Sequence, residues 1–189
     1  MSCVGLLGGT FNPPHNGHVL LAETARKRFD LDPLRVHVST NPSHKRVDVP
    51  VQTRLELTRL AFPGGIVVRD DHPYSIDTVL GYGDDAIFLV GADQFAQFLT
   101  WREPDEILEH VRLGVATRPG YPRETLDDVL RELRQPERVE LFDMQPVPIS
   151  SSDIRRRASE GASVRDFVPP AVADEIERRG LYRRRAGVS

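Results

Sequence analysis

Gly8-Gly9-Thr10-Phe11-Asn12-Pro13-Pro14-His15-Asn16-Gly17-His18 joins a short apolar run, Val4 to Leu7, to an apolar face of helical period that begins near His18 and ends at Phe29. Strand, glycine turn and helix start, in that order, make a place to hold an anion. Glycine lets the backbone approach the ligand, and the unpaired N–H groups and positive dipole of a helix start attract negative charge. His15 and His18 then fall where that anion would lie. Imidazole N–H groups there donate to phosphate oxygens, and a hydrogen bond to a charged group contributes about 1.5–3 kcal/mol. The loop is neither G-x-G-x-x-G nor a Walker A sequence, which argues against dehydrogenases and P-loop kinases. A zinc site needs further ligands, and Cys3, the one cysteine, lies at the far end of the strand.

Outward from this stretch the chain alternates strands and helices. Asp32-Pro33 closes the first unit, Val36 to Val38 is a second strand, and Asn41 to Pro50 is a polar loop. Val51 to Ala61 is a helix with Leu57, Leu60 and Ala61 inward, followed by a third strand, Ile66 to Val68. Ser75 is placed to cap a short helix, Ile76 to Leu80. Ala86 to Val90 is the most apolar strand and therefore central. It exits into Gly91-Ala92-Asp93-Gln94, where Asp93 suits either a ribose hydroxyl or a helix cap. Thr100-Trp101-Arg102 interrupts before a helix from Pro104 to Val111. Leu113 to Ala116 and Val139 to Phe142 are further strands, separated by the rigid Arg118–Pro122 loop and an amphipathic helix, Thr125 to Leu133. Ile149 to Asp153 caps a helix carrying Arg155, and a last helix, Ala171 to Arg179, stops at Gly180. The pattern predicts an α/β fold, a doubly wound parallel sheet of Rossmann-like type with a small helical C-terminal end. A single domain spans residues 1–189, with a sheet core over about 1–148 and a C-terminal part from about 149 that completes the nucleotide site. In such sheets the ligand sits beyond the carboxyl ends of the strands. The loops 8–18, 41–49, 91–94, 118–121 and 149–155 all fall there.

Composition narrows the partners. Hydrophobic content of 39%, charged content of 28% and a net charge of -3 describe a globular chain that does not bind bulk nucleic acid. No apolar run approaches the roughly 20 residues that span a bilayer, and no signal-peptide pattern opens the chain. The expectation is a cytoplasmic protein without a membrane or nucleic-acid partner, and nothing speaks against a homo-oligomer. Lys27 and Lys45 are the only lysines, which sets Lys45 apart beside His44 in its loop.

The 8–18 stretch resembles the first signature of the nucleotidylyltransferase superfamily, with its histidine–x–glycine–histidine element. Ile149-Ser150-Ser151-Ser152-Asp153-Ile154-Arg155 resembles the second, with Ser152 where threonine is usual. Pro42-Ser43-His44-Lys45, Tyr74-Ser75-Ile76-Asp77-Thr78, Gly91-Ala92-Asp93, Thr100-Trp101, Arg118-Pro119-Gly120-Tyr121 and Gly180-Leu181-Tyr182-Arg183 resemble the bacterial nicotinate-mononucleotide adenylyltransferases in particular. The resemblance covers nearly the whole chain. It implies that the 5′-phosphate of nicotinate mononucleotide attacks the α-phosphorus of ATP, giving nicotinate adenine dinucleotide and pyrophosphate, with Mg²⁺ brought by ATP. A phosphate monoester is already a nucleophile, so catalysis rests on positioning and on charge around the triphosphate. His18, His15, Arg155 and Lys45 are the expected catalytic residues. Gly8, Gly9, Thr10, Phe11, Arg118, Ile149, Ser150 and Ser152 complete the ATP side. Asn41, His44, Ser75, Ile76, Asp93, Trp101 and Arg102 fall to the substrates. Trp101 offers a flat face for the pyridine ring, and the resemblance implies that backbone N–H groups near Ser75-Ile76 and Trp101-Arg102 hold its carboxylate. Arg102 stands where relatives are commonly aromatic, and adds positive potential that favours the acid over the amide. No dedicated carboxylate cage for a metal is visible.

Three rival readings share parts of this pattern. The same fold can act on another acceptor, such as nicotinamide mononucleotide, phosphopantetheine or a cytidylyl acceptor; the Trp101 block and the Arg118–Tyr121 loop speak against these. A non-catalytic nucleotide-binding regulatory module would be expected to lose a phosphate-binding group, yet His15, His18, Ser152 and Arg155 are all present. A class I aminoacyl-tRNA synthetase fragment lacks its lysine-rich second motif here.

Overall fold

The apolar run at the N-terminus builds β1 (Cys3–Gly9), which pairs in parallel with β2 (Leu31–Ser39) on one side and β4 (Ala86–Gly91) on the other. A computed structural model describes residues 3–40, 47, 49–145 and 147–183. β3 (Ile66–Asp70) lies outside β2, and β5 (Arg112–Thr117) and β6 (Val139–Asp143) continue beyond β4. The sheet is all parallel, with order β3-β2-β1-β4-β5-β6. The chain runs outward in one direction from β1 and then returns to start again at β4. The carboxyl ends of β1 and β4 therefore flank the crevice where ligands bind in doubly wound sheets.

Successive side chains of a strand point to opposite faces. Leu7 faces a core shared by α1 (Asn16–Phe29), α2 (Val51–Ala61), α7 (Ser151–Ser159) and α8 (Pro170–Arg179). Leu6 faces the other core, under α3 (Ser75–Val79), α4 (Ala92–Phe95), α5 (Pro104–His110) and α6 (Arg123–Glu132). β1 and β4 are thus covered on both sides, which is why their sequences read as unbroken apolar runs.

Five local expectations are corrected. α1 starts at Asn16 rather than near His18, because His15 itself is the N-cap, with φ -142° and ψ 170°. Asp32-Pro33 does not close the first unit. Asp30 does so, in the left-handed conformation with φ 51°, and Asp32 and Pro33 lie inside β2 at a register shift opposite Cys3 and Gly5. That irregularity tolerates a residue without an N–H. Tyr74 rather than Ser75 is the N-cap of α3, and Gly91 rather than Asp93 that of α4. On α2 Leu60 is exposed, while Arg54 takes an inward position.

The C-terminal helices lie on the α1–α2 face. Arg179 of α8 pairs with Glu56 of α2 at 2.7 Å. Gly180, at φ 61°, ends α8, and the Leu181 N–H closes it on the carbonyl of Ile176 at 3.0 Å. The chain then turns back so that the Tyr182 hydroxyl donates to Asn12 Oδ1 at 2.9 Å.

Candidate active site

The first turn of α1 fixes two imidazoles. The backbone N–H of His15 donates to Nδ1 of His18 at 3.1 Å. A neutral His18 therefore carries its proton on Nε2. The His15 ring stacks on His18 with centroids 3.7 Å apart and planes 26° from parallel. His15 is buried, its Nδ1 has no partner among the described residues, and burial pushes its pKa down to about 4. It is neutral at pH 7. Gly17 makes this stack fit: a Cβ there would sit 3.0 Å from His15 Nδ1 and 3.1 Å from Cε1. A side chain at residue 17 must displace the ring.

The loop before these histidines is held open by its own core contacts. Phe11 has φ 48°, a left-handed conformation costly for an aromatic residue, on the order of 1–3 kcal/mol. Its ring, 1% exposed, is pinned edge-on by Phe62 at 6.0 Å and His18 at 5.0 Å.

The 149–155 segment closes against this loop. Ser150 caps α7: its Oγ accepts from the Asp153 N–H at 3.1 Å, and its own N–H donates to Asp153 Oδ2 at 3.2 Å. Ser151 Oγ donates to the carbonyl of Pro13 at 2.8 Å. Arg155 donates to the carbonyl of Asn12 at 2.8 Å and to Ser152 Oγ at 3.0 Å. Two helix starts, α1 and α7, and one guanidinium thus converge on a single loop, the arrangement that binds a polyanion.

Cavities open on either side of the switch point. One, of about 270 Å³, is lined by Gly8, Gly9, Thr10, Ser39, Asp70 and Trp101, among others. The second, of about 230 Å³, is lined by His15, His18, Asp93, Arg118, Tyr121 and Ile149, among others. Gln94 borders both, and its Oε1 accepts from the Gly91 N–H at 3.3 Å. A further cavity of about 300 Å³ shares Tyr74, Ser75 and Trp101 with the first and adds Arg102.

A phosphate cradle between two cavities fits transfer between two nucleotides, and the comparisons agree. The cytidylyltransferase-like family matches residues 6–157. A Thermus thermophilus protein named "Probable nicotinate-nucleotide adenylyltransferase" is 39% identical over 193 residues, covering 95% of this chain and 99% of its own. A Bordetella avium protein of the same name is 35% identical over 195 residues, covering 97% and 99%. The chain belongs to the nicotinate-nucleotide adenylyltransferase family. A solved Plasmodium falciparum nicotinic acid mononucleotide adenylyltransferase, complexed with NaAD, has the same fold, with TM-score 0.75 over 96% of this chain and 98% of that one at 15% identity.

Most of the residues expected to act in this adenylyltransferase meet at the carboxyl edge of the sheet. Phe11 does not line either cavity and serves as a floor beneath His18. The side chain of Ile76 is buried in the core, leaving its backbone for a ligand. Ser150 is engaged in its cap. Trp101 is half-buried, packed edge-on against Phe98 at 5.3 Å and Phe88 at 6.3 Å, and borders two of the cavities. Asn41, His44 and Lys45 lie outside the described residues. Among the described residues no cluster of three or more His, Cys, Asp or Glu could hold a metal ion, and no helix is long and apolar enough to cross a membrane.

One polar cluster of the first cavity was missed by the sequence reading. Asp70, at the end of β3, accepts from Thr78 Oγ1 at 2.8 Å, from the His72 N–H at 3.1 Å and from His72 Nδ1 at 2.9 Å. His37 Nδ1 stands 3.7 Å from its other oxygen, and His37 Nε2 lies 3.0 Å from the Tyr82 hydroxyl. With its Nδ1 proton facing the carboxylate, His37 accepts the Tyr82 proton at Nε2. Burial alone would raise the Asp70 pKa, but His37, Thr78 and the His72 N–H outweigh it and hold the carboxyl at about 2. The signal was a histidine inside an apolar strand and an acid at the end of the next.

Two predictions follow from this geometry. Because the folded Asp70 pKa lies below the ordinary 3.8, its contribution to stability is present above about pH 4 and is lost as pH falls through about 2. Asp70→Asn is expected to melt below the wild type at pH 7, with the gap closing toward pH 2 in thermal scans. Gly17→Ala is expected to fold with the His15 ring shifted by a few tenths of an ångström to admit the new Cβ. Its turnover should fall about tenfold or more, since small displacements in a reacting geometry cost up to about 100-fold.

Proposed function

We propose that the enzyme transfers the adenylyl group of ATP to nicotinate mononucleotide, forming nicotinate adenine dinucleotide and pyrophosphate in NAD biosynthesis. The observation that carries this reading is the join of the two signature segments, Arg155 and Ser151 bonded to the Asn12-Pro13 loop, between two cavities. ATP occupies the 230 Å³ side, with its triphosphate on the starts of α1 and α7. The acceptor occupies the 270 Å³ side and extends its ring toward Trp101.

A phosphate oxygen of the mononucleotide forms the new bond to the α-phosphorus as the bond to the β-phosphate bridge breaks. Pyrophosphate leaves with that electron pair, so no covalent enzyme intermediate and no strong base are needed. His18 donates from Nε2 to the phosphorus-bound oxygens, where charge develops. His15 supports its ring and contributes a second neutral donor. Ser152 and Arg155 hold the β- and γ-phosphates, and Lys45 adds charge from its loop. Mg²⁺ carried by ATP would supply charge neutralisation at the triphosphate, and among the described residues no cluster of three or more His, Cys, Asp or Glu would hold it separately. Asp93, Arg118 and Asn41 serve the nucleoside side, and His44 serves the substrates.

Arg102 tunes the acceptor. Its guanidinium lies 4.7 Å from the Tyr74 ring centroid, a cation–π contact that holds positive charge at the mouth of the Trp101 cavity. It has no acidic partner among the described residues. An anionic carboxylate on the pyridine ring gains from that charge, whereas a carboxamide does not.

Pyrophosphate release from ATP, assayed with a panel of mononucleotides, tests the reading. Turnover is expected with nicotinate mononucleotide. In His18→Ala it should fall by about 100- to 1,000-fold, the usual loss for one donor to a developing oxyanion, with the melting temperature retained. Turnover with no acceptor would remove the catalytic reading in favour of a regulatory nucleotide binder. Arg102→Ala is expected to lower the ratio of kcat/KM for nicotinate over nicotinamide mononucleotide by about two- to fivefold, the scale of an exposed ion pair. An unchanged ratio would remove Arg102 from selectivity.

A further inference from the structure

Arg54 is the largest fully buried side chain, at 1% exposed. Its Nη1 donates to the carbonyl of Thr10 at 2.8 Å and to that of Ser39 at 2.7 Å, and Nη2 reaches the carbonyl of Thr40 at 3.4 Å. Its Nε has no partner, and no carboxylate pairs with it among the described residues. A guanidinium surrounded only by neutral acceptors is costly, because its charge has lost water without gaining a counter-ion. A neutral side chain could tie the same carbonyls without that cost.

Position explains why a charge is kept there. Thr10 and Ser39 both line the 270 Å³ cavity. Thr10 follows the glycine pair of β1, and Thr40 leads from β2 into the loop that carries His44 and Lys45. The guanidinium therefore sits one peptide beneath the surface on which, by the reading above, phosphates of ATP and acceptor meet. In a medium of low dielectric its field reaches a bound anion with little screening.

We propose that Arg54 is a positioning residue of adenylyl transfer, whose buried charge finds its counter-charge in the substrate phosphates. Its fork ties the exits of β1 and β2 together at Thr10, Ser39 and Thr40. Its charge is balanced when those phosphates arrive. This assignment rests on the proposed function, since it needs phosphates at the cradle.

Arg54→Lys keeps the charge and loses the planar fork; Arg54→Gln keeps an amide donor and loses the charge. The readouts are kcat and KM for both substrates, and the rise in melting temperature on adding inorganic tripolyphosphate. Arg54→Gln is expected to lose about 100-fold in kcat/KM for ATP, the scale of a preorganised electrostatic contact, and most of the tripolyphosphate shift. Arg54→Lys is expected to recover about tenfold of that loss and most of the shift, even where both variants melt equally low. A purely structural tie predicts that both variants lose activity in step with their melting temperatures, and that result overturns the proposal. So does kcat/KM within threefold of wild type in a folded Arg54→Gln. If Arg54→Gln does not fold, Arg54→Lys decides: a tripolyphosphate shift at least half of the wild type supports the charge, and one below a fifth overturns it. A wild type that releases no pyrophosphate with any acceptor fails the functional reading, and the tripolyphosphate arm still reads Arg54.

Discussion

The constraint on which the site depends is the grip of the C-terminal segment on Asn12 and Pro13. Arg155 and Ser151 donate to the carbonyls of these two residues, and Tyr182 donates to the Asn12 side chain. The loop itself is short of regular hydrogen bonds and passes through Phe11 in a left-handed conformation. Its shape is therefore set by residues some 140 to 170 positions away in the chain. A phosphate cradle of this kind exists only when α7 and α8 have docked on the α1–α2 face, so the fold and the site form together. Burial of Ile154, Val172 and Ile176 supplies the apolar area that drives that docking.

Charge at the site is arranged with economy. His15 is neutral because it is buried, and His18 has its Nδ1 committed to the N–H of His15. His15 thus orients a donor without bringing a full charge of its own at pH 7. Positive potential comes instead from the starts of α1 and α7, from Arg155, and from the buried Arg54. Fixed dipoles and buried cations do not reorganise as charge moves in the reaction. They are therefore more effective than mobile surface charges at the same distance.

The sheet was legible because its strands are buried on both faces, so that Val4–Leu7 and Ala86–Val90 stand out as apolar runs between glycine turns. The cradle was legible because His15, Gly17 and His18 combine unusual residue types at a helix start. Cap positions were less so. Histidine and tyrosine are poor caps by propensity; α1 starts on the His15 N–H bonded to the His18 side chain and on the Asn16 N–H bonded to the Phe167 carbonyl, and α3 starts without a side-chain cap. Arg54 and His37 were hidden for a physical reason: a polar residue inside an apolar pattern reads as an outward position. Leu60 then seemed to face inward where Arg54 does. Such residues are legible only once the three-dimensional neighbours that satisfy them, Thr10 and Ser39 for one and Asp70 and Tyr82 for the other, are known.

Local costs are concentrated at the sheet's carboxyl edge. Phe11 holds an unfavourable backbone conformation, His15 Nδ1 and Arg54 Nε lie buried without partners, and Asp70 keeps its charge in a largely buried place. None of these is needed to make a six-stranded sheet; the amino-terminal edge carries separate costs, Asp30 at φ 51° before β2 and Arg138 Nε buried without a partner among the described residues before β6. Costs of this kind persist where the surrounding core over-determines the geometry, and the two apolar layers on β1 and β4 do that here. Donors and charges that are unsatisfied before a ligand arrives have most to gain when it does. Under the proposed function, a bound phosphate would supply partners that His15 Nδ1 and Arg54 Nε lack among the described residues.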